Sequence, residues 1–459
     1  MRKTKIDEKS RTKGRGKKRK TDAVDEVLPA SRMIPFALQH VLICYGGLIT
    51  TPLVVGLALG LTNAELATLV AANLTVAGLA TILQTVGVWK VGVRYPLLMG
   101  ASFTAIGPGI MIGEAYGLPA LYGATMLAGL VTIVVAPFFA KLLRFFPPVV
   151  TGTVIAIIGI SLMPKSAALI TGQPDDPDFG SPTGYLLGII AVVLVLVIDR
   201  VGRGLWKQLS ILIALVLGTI IAALFGRVDF SAVAEVSPVQ VPQPLMFGPP
   251  EFVIGAIIPI LIVQFVCLVE STGDVLAVGQ IVGRKTGPKQ VSRALLADGV
   301  GTAVGALLSP FSLTAFANNV GLAQVTKVYS RWVVALAGLF LILFGFVAPL
   351  GQVAAALPKP VLGGITVVMF GTIAAVGVKI LAASDLTNSR NMFIVGISFA
   401  FAMIPVGVPD FYANFPELMQ PVLSSSIAAG GIAAFVLNLL LNELWARKEP
   451  LTSPTPVSH

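Results

Sequence analysis

The stretch that decides the fold is TAFANNVGLAQVTKVYSR, residues Thr314 to Arg331. It places two adjacent amides, Asn318 and Asn319, between two long apolar runs. Irregular backbone at membrane depth is tolerated only where protein or a water-filled cavity satisfies its polar groups. The stretch therefore predicts an interrupted membrane helix whose amides recognise a ligand.

The composition of the whole chain indicates a polytopic protein of the lipid bilayer. Of 459 residues, 55% are hydrophobic and only 12% are charged, whereas soluble proteins average about 25% charged residues. Several apolar runs approach the ~20 residues that span a membrane. Two cysteines and one internal histidine, His40, give no disulfide framework and no metal site, and we expect no cofactor.

The net charge of +10 comes largely from the first twenty residues, MRKTKIDEKSRTKGRGKKRK. We interpret them as part of a disordered cytoplasmic tail that helps to fix the topology and touches anionic lipid. Nucleic acid is not an expected partner, because the run contains no aromatic residues.

Fourteen apolar segments follow the tail, and the third (about 96–113) and the tenth (about 310–323) are short and interrupted. If both termini are cytoplasmic, all but three of the 32 lysines and arginines lie on the inside, as the positive-inside rule requires. A Pro-Val pair opens segments five and twelve, and two glycines follow each pair at one constant offset. Seven segments separate the two, so the halves must be inverted, and paired broken segments in inverted repeats predict a binding site near the midplane.

Ionisable side chains at membrane depth are costly and mark functional sites. Four stand out: His40 in segment one, Glu270 and Asp274 at the end of segment eight, and Asp298 in segment nine. Glu270 follows an unbroken apolar run and is the strongest candidate. Asp274 has a plainer alternative as a helix-end residue. Asp298 could instead be a structural partner of Asn319 or of the segment-eight backbone, and His40 could be a packing residue rather than a proton carrier.

The two broken segments predict the chemistry of the site. Asn318 offers a hydrogen-bond donor and an acceptor, and Phe316 offers a flat apolar face. Ser102 and Phe103 lie at the matching break of segment three. Two half-helix N-termini would aim free N–H groups at the gap between them. We expect a planar heterocycle to stack on Phe316 and to bond Asn318 and Glu270.

These residues resemble the nucleobase–ascorbate transporter family, the second class of nucleobase cation symporters. The family signature is Gln/Glu/Pro-Asn-x-Gly, then four residues of any type, then Thr and Arg/Lys/Gly, and residues 318–327 match it except at the first position. The motifs QH at 39–40, SFT at 102–104, ESTGD at 270–274 and LADG at 296–299 resemble the family in the same order.

The resemblance implies an all-α membrane fold of 14 spans in two inverted seven-span repeats, with short strands in spans three and ten. It implies a cytoplasmic tail (1–33), a core domain (34–146 and 251–351), a gate domain (147–228 and 352–446), an extracellular loop (229–250) and a second cytoplasmic tail (447–459). It also implies a homodimer in the plasma membrane.

The resemblance further assigns roles to residues. Glu270 and Asn318 would bond the base, Phe103 and Ala317 would offer backbone groups, and Phe316 would stack on the ring. The residues that would support the site and the coupling to protons, or to sodium in some animal members, are His40, Ser102, Asp274, Asp298 and Asn319.

Asn318 departs from the family, because purine carriers usually have Gln at this position and uracil carriers Glu. An amide keeps the purine-type chemistry, and the sequence FANNVGL at 316–322 resembles that of the xanthine and uric acid carriers. We therefore expect a proton-coupled symporter for xanthine or uric acid. The alternatives are a uracil symporter, an anion carrier of the same architecture, a channel and a membrane-embedded enzyme. Glu270 argues against the anion carrier, and the single internal histidine argues against the enzyme.

Overall fold

The computed structural model describes residues 22–445 except 143–144, 173–175, 177, 232, 234–235 and 417–418. Most of the N-terminal basic tail and all of the second tail, 447–459, therefore lie outside the described residues. In the described part of the chain, nine helices are long and apolar enough to cross a membrane. Two shorter apolar helices are Ser210–Leu224 and Arg331–Phe346. The polytopic helical fold expected from the composition is confirmed, while the count of 14 inverted spans stays a prediction.

The first half of the described chain contains ten helices and one strand. They are α1 (Ala30–Ala58), α2 (Asn63–Val86), β1 (Met99–Ala101), α3 (Ile106–Tyr116), α4 (Leu118–Val135), α5 (Phe139–Leu142), α6 (Pro148–Ser161), α7 (Met163–Thr171), α8 (Pro182–Val201), α9 (Leu205–Gln208) and α10 (Ser210–Leu224). A 3₁₀ turn, Phe103–Ala105, links β1 to α3.

The second half contains nine helices and one strand. They are α11 (Ile254–Ile281), α12 (Pro288–Gly305), β2 (Leu313–Ala315), α13 (Ala317–Thr326), α14 (Arg331–Phe346), α15 (Ala348–Ala355), α16 (Lys359–Leu381), α17 (Ser389–Gly407), α18 (Gln420–Ser424) and α19 (Ser426–Asn438). A 3₁₀ turn, Pro409–Tyr412, follows α17, and the π-helical segment Leu439–Trp445 follows α19.

The two short strands lie in the third and tenth apolar segments, where the family resemblance implies them. They pair antiparallel, with Met99 opposite Ala315, Gly100 opposite Thr314 and Ala101 opposite Leu313. Each strand is followed by a short helical segment, so each segment crosses the interior as a strand and then a half-helix. The strands are the only sheet found among the described residues.

Glycines of the Pro-Val repeat bring helices into backbone contact. A Cβ atom at Gly159 on α6 would lie 2.3 Å from the nitrogen of Ala374 on α16, and one at Gly364 on α16 would lie 2.3 Å from the carbonyl oxygen of Gly188 on α8. Small residues are favoured at such crossings because dispersion contacts and close packing associate helices in lipid. Segments five and twelve therefore pack directly on each other.

A proline inside α1 shows how a broken hydrogen-bond ladder is repaired at membrane depth. Pro52 has no N–H, so the carbonyl of Leu48 one turn earlier has no helical donor. The buried side chain of Asn73 on α2 donates from Nδ2 to that carbonyl oxygen at 2.8 Å, and Ser309 Oγ donates to Asn73 Oδ1 at 3.1 Å. These hydrogen bonds join α1 to α2 and to Ser309.

The described chain begins with a strap, residues 22–28, that lies across one end of the helices. Arg284 donates to Asp25 Oδ2 at 2.6 Å, and Arg331 donates to Asp25 Oδ1 at 2.6 Å and to the last carbonyls of α2. Val24 beneath them is fully buried. Partial burial raises the pKa of Asp25, but the hydrogen bonds from the two arginines outweigh it and hold that pKa below its usual value. The strap therefore joins the ends of α2, α11 and α14.

Candidate functional site

The site forms around two strands whose backbone would otherwise be unpaired inside the membrane. Side chains of neighbouring helices accept from the N–H groups that the strand pairing leaves free. Thr81 Oγ1 accepts from Met99 N–H at 2.9 Å, Thr302 Oγ1 from Leu313 N–H at 3.1 Å, and Ser271 Oγ from Ala315 N–H at 3.1 Å. The strands are thus held by helices α2, α12 and α11, and their positions are fixed.

Asn319 and His40 form one further brace. Leu98 N–H donates to Asn319 Oδ1 at 3.1 Å, and Asn319 Nδ2 lies 2.5 Å from His40 Nδ1. An amide nitrogen can only donate, so His40 Nδ1 is the acceptor and the imidazole is the neutral tautomer with its proton on Nε2. Both side chains are almost fully buried, at 0% and 1% exposure. In this arrangement His40 supports Asn319 and carries no extra proton on Nδ1.

Asp298 lies behind the strands and has a partner that the sequence did not indicate. Its Oδ1 accepts from Gln84 Nε2 at 3.2 Å, and Gln84 Oε1 accepts from Val93 N–H at 3.0 Å. The expectation that Asp298 could pair with Asn319 is wrong, because Asp298 bonds Gln84 whereas Asn319 bonds Leu98 and His40. Asp298 is fully buried, and Ser271 on α11 is a second hydrogen-bonding neighbour of its carboxyl group.

A cavity of about 450 Å³ opens where the two half-helices meet. Seven of the ten predicted site residues line it: Ser102, Phe103, Glu270, Asp274, Phe316, Ala317 and Asn318. The other three predicted residues, His40, Asp298 and Asn319, are not among its lining residues. The structure therefore separates the predicted set into a lining group and a supporting group.

Glu270 and Asp274 reach the cavity from one helix. Helix α11 continues through Gly273 to Ile281, so the two acids lie one turn apart on the same face, as side chains at i and i+4 do. The alternative that Asp274 is a helix-end residue is wrong, because seven further helical residues follow it. Two carboxyl groups at this spacing repel each other when both are ionised, which favours a ligand or a proton between them.

Asn318 differs from its neighbour in having an open environment. Ala317 and Asn318 are both exposed, and Asn319 is buried. The amide of Asn318 has no hydrogen-bond partner among the described residues, so its donor and acceptor are available to a ligand. The first of the two asparagines faces the cavity and the second holds the backbone, which explains why they are adjacent.

The two helical segments that follow the strands direct their N-termini at the cavity. Phe103 begins the 3₁₀ turn before α3, and Ala317 begins α13. The first N–H groups of a helix have no carbonyl one turn earlier to bond, and a helix N-terminus favours negative charge and acceptor atoms. The rings of Phe103 and Phe316 lie beside these termini, with centroids 5.8 Å apart and planes inclined at 53°.

The opposite wall comes from α6 and α16, which the sequence did not associate with the site. It consists of Thr151, Ile155, Thr372, Ile373, Val376 and Ile380. Their residue types are those of any membrane helix, so no sequence signal distinguishes them. A neighbouring cavity of about 350 Å³ shares Thr151 and Ile155 but is lined almost wholly by apolar side chains, including Phe146, Phe265 and Phe435, and offers nothing to recognise a polar ring.

The arrangement can bind a small planar ring in a fixed orientation. Carboxyl groups and backbone N–H groups supply hydrogen bonds on one side, aromatic rings supply a stacking face, and the opposite wall is mostly apolar. The geometry fits the binding and release of such a ring.

The comparisons with known proteins cover nearly the whole chain. A family model described as "Permease family" matches residues 31–411. Uric acid permease PucJ of Bacillus subtilis (strain 168) is 40% identical over 416 residues, which are 90% of this chain and 93% of that protein. The xanthine permease of the same organism is 37% identical over 414 residues, which are 90% of this chain and 94% of that protein.

A solved structure shows the same fold at low identity. The murine anion transporter Slc26a9, in an inward-facing state, aligns with a TM-score of 0.62 at 12% identity. The alignment covers 94% of this chain and 74% of that chain. At this identity the likeness concerns the fold alone.

Proposed function

The chain belongs to this permease family, and on that premise we propose that it imports a purine nucleobase, xanthine or uric acid, together with protons. Permeases are transporters, so the protein is not an enzyme. The purine assignment is supported by the names of its relatives, a uric acid permease and a xanthine permease, at 40% and 37% identity over nine-tenths of the chain.

The observation that carries the proposal is the lining of the 450 Å³ cavity. A purine dione or trione presents neighbouring N–H and C=O groups along its edges. Glu270 would accept from ring N–H groups, Asn318 would both donate and accept, and the backbone N–H groups of Phe103 and Ala317 would meet ring carbonyls. Phe316 would stack on the ring face. A hydrogen bond to a charged group contributes about 1.5–3 kcal/mol.

Proton coupling is proposed through the acids behind and beside this cavity. Asp274 lines the cavity one turn from Glu270, and Asp298 is fully buried with a neutral amide, Gln84, as its hydrogen-bond donor. A buried carboxyl group without a cation partner is far easier to keep neutral than charged. Uptake of a proton with the base and its release on the other side would therefore couple the two movements.

We further propose that residues 34–146 with 251–351 act as the core domain and residues 147–228 with 352–446 as the gate domain. The lining of the cavity supports this division, because its carboxyl and carboxamide groups come from the first set and the mostly aliphatic wall opposite them from the second. Transport would then move the first set along the second. A homodimer in the plasma membrane with both termini cytoplasmic completes the proposal.

Equilibrium binding tests the assignment directly. We expect the purified protein to bind xanthine or uric acid in preference to uracil by isothermal titration calorimetry, and Glu270→Gln to abolish that binding while remaining folded. Glu114→Gln is the matched control, because Glu114 on α3 does not line the site cavity. Binding of uracil but not purines would support the alternative uracil symporter, and unchanged purine binding by Glu270→Gln would remove this carboxylate from the site.

A further inference from the structure

Two glycines that do not line the cavity lie directly behind its aromatic rings. A Cβ atom at Gly47 on α1 would lie 2.8 Å from Cε1 of Phe316 and 3.2 Å from Cζ of Phe103. A Cβ atom at Gly100 on β1 would lie 2.5 Å from Cε2 of Phe316 and 2.3 Å from Cδ2 of Leu48. The ring of Phe316 therefore occupies space that a single methyl group at either position would claim.

The ring of Phe316 lies between the two glycines and the cavity, so its position affects the width of the cavity. Phe316 and Phe103 both line the cavity, and neither Gly47 nor Gly100 does. The rings thus separate the glycines from the ligand space. Phe316 is only 5% exposed, so most of its surface is held against α1 and β1 and one part faces the cavity.

We propose that Gly47 and Gly100 form a seat for Phe316 that keeps the cavity wide enough for a two-ring base. The inference rests on the proposed function and names residues that determine specificity within it. Neither glycine has a positive φ angle, so the backbone does not require glycine at these positions. The absence of a side chain is needed only to leave room for the ring.

The effect of filling the seat follows from where the strain can be released. Real Cβ atoms essentially never approach other atoms within 3.0 Å, so a methyl group at either position forces a neighbour to move. At Gly47 the contacting atoms belong to the rings of Phe316 and Phe103 and lie at the far ends of their side chains, so a ring moves more easily than the backbone. At Gly100 the end of the Leu48 side chain can move as well, so Gly47→Ala is the cleaner variant. With α1 and β1 behind it, the ring moves toward the cavity and narrows it.

The narrower cavity changes the ratio of affinities for large and small bases. One methylene group too many in an apolar pocket changes discrimination roughly 10- to 200-fold. We expect Gly47→Ala to lower the affinity for xanthine and uric acid by roughly this factor, while the affinity for the single-ring base uracil does not fall.

Gly46→Ala is the matched control. A Cβ atom at Gly46 would lie 2.9 Å from Cγ2 of Ile211 on α10, so this variant introduces a similar clash on the same helix without touching the rings. Gly100→Ala approaches Phe316 from the strand and serves as a second variant where Gly47→Ala folds poorly. Calorimetric titration of all three variants with xanthine, uric acid and uracil gives the affinities.

A structure of the Gly47→Ala or Gly100→Ala variant supplies a readout that does not depend on any ligand. We expect the ring of Phe316 to be displaced toward the cavity, and purine affinity to fall relative to Gly46→Ala. If the ring does not move, or if purine affinity equals that of Gly46→Ala, the proposed role of Gly47 and Gly100 is wrong. Failure of the native protein to bind any purine would overturn the proposed function instead, and the ring position would still decide the role of the glycines.

Discussion

The two adjacent asparagines should respond to alanine substitution in opposite ways. Asn319→Ala removes the acceptor for Leu98 N–H and the donor for His40 Nδ1. Both of these groups are buried, and an unsatisfied buried polar group costs about 1–3 kcal/mol. The free energy of unfolding should therefore fall by about 2–6 kcal/mol, which is a large share of the about 5–15 kcal/mol typical of whole proteins. Asn318→Ala removes no hydrogen bond in the unliganded protein and should change stability by less than about 0.5 kcal/mol.

Thermal unfolding of both variants in the same detergent, with purine binding measured alongside, separates the two roles. We expect Asn319→Ala to unfold at a clearly lower temperature, and Asn318→Ala to unfold like the native protein but to bind purine weakly. Asn318→Gln should keep purine binding, since it restores the amide at greater length. Equal destabilisation by the two alanine variants, or full purine binding by Asn318→Ala, would refute the assignment of one amide to the ligand and the other to the backbone.

Three further predictions follow from the supporting residues. Asp298→Asn keeps an acceptor for Gln84 but cannot titrate. In proteoliposomes it should therefore reduce proton-driven accumulation of purine more than exchange of purine across the membrane. Equal loss of the two activities would show that Asp298 has no role in proton coupling. His40→Ala should lower the free energy of unfolding by about 1–3 kcal/mol, because Asn319 Nδ2 loses its hydrogen-bond partner. The folded molecules should still accumulate purine. Loss of accumulation without loss of folded protein would indicate that His40 carries a proton. The pKa of Asp25 is lower in the folded chain than its usual value, so its stabilising effect is complete above about pH 4 and disappears as the pH falls through the lowered value. Asp25→Asn should therefore lower the free energy of unfolding by about 1 kcal/mol at neutral pH and leave it unchanged at the acid limit. A loss of stability that does not depend on pH, measured by thermal unfolding, would contradict this.

The broken segments could be predicted from the sequence because their cause is local. Glycines and a proline interrupt apolar runs at Gly100 and Pro310, and interrupted backbone in a membrane requires compensation within the protein. The structure has strands in both segments. Glu270 and Asn318 both line the cavity beside these strands.

The supporting contacts could not be predicted in the same way. Gln84 and Asp298 are far apart in the chain, and their hydrogen bond depends on how α2 packs against α12. The amide of Gln84 inside the apolar run ATILQTV was the one available signal, and it does not name a partner. For Asp274 the sequence suggested a helix end because glycine precedes it, but a glycine inside a helix costs only about 1 kcal/mol, and α11 continues through it.

The apolar wall shows a further limit of sequence reasoning. Ile155 and Ile373 resemble dozens of other aliphatic residues in the chain, and only the crossing of α6 and α16 brings them opposite Glu270. That crossing is set by glycines such as Gly159, whose close contact lies on the partner helix. The repeat indicated that the two helices correspond, but not that they face the site together.

Uptake of labelled uric acid and xanthine into proteoliposomes, with and without an imposed inward proton gradient, tests the central claim most directly. The account predicts that the native protein accumulates at least one of these purines above its outside concentration when the gradient is present. Without the gradient it should only equilibrate the purine, and Glu270→Gln should do neither. Accumulation of uracil with no purine uptake, or purine accumulation that does not respond to the proton gradient, would contradict the account.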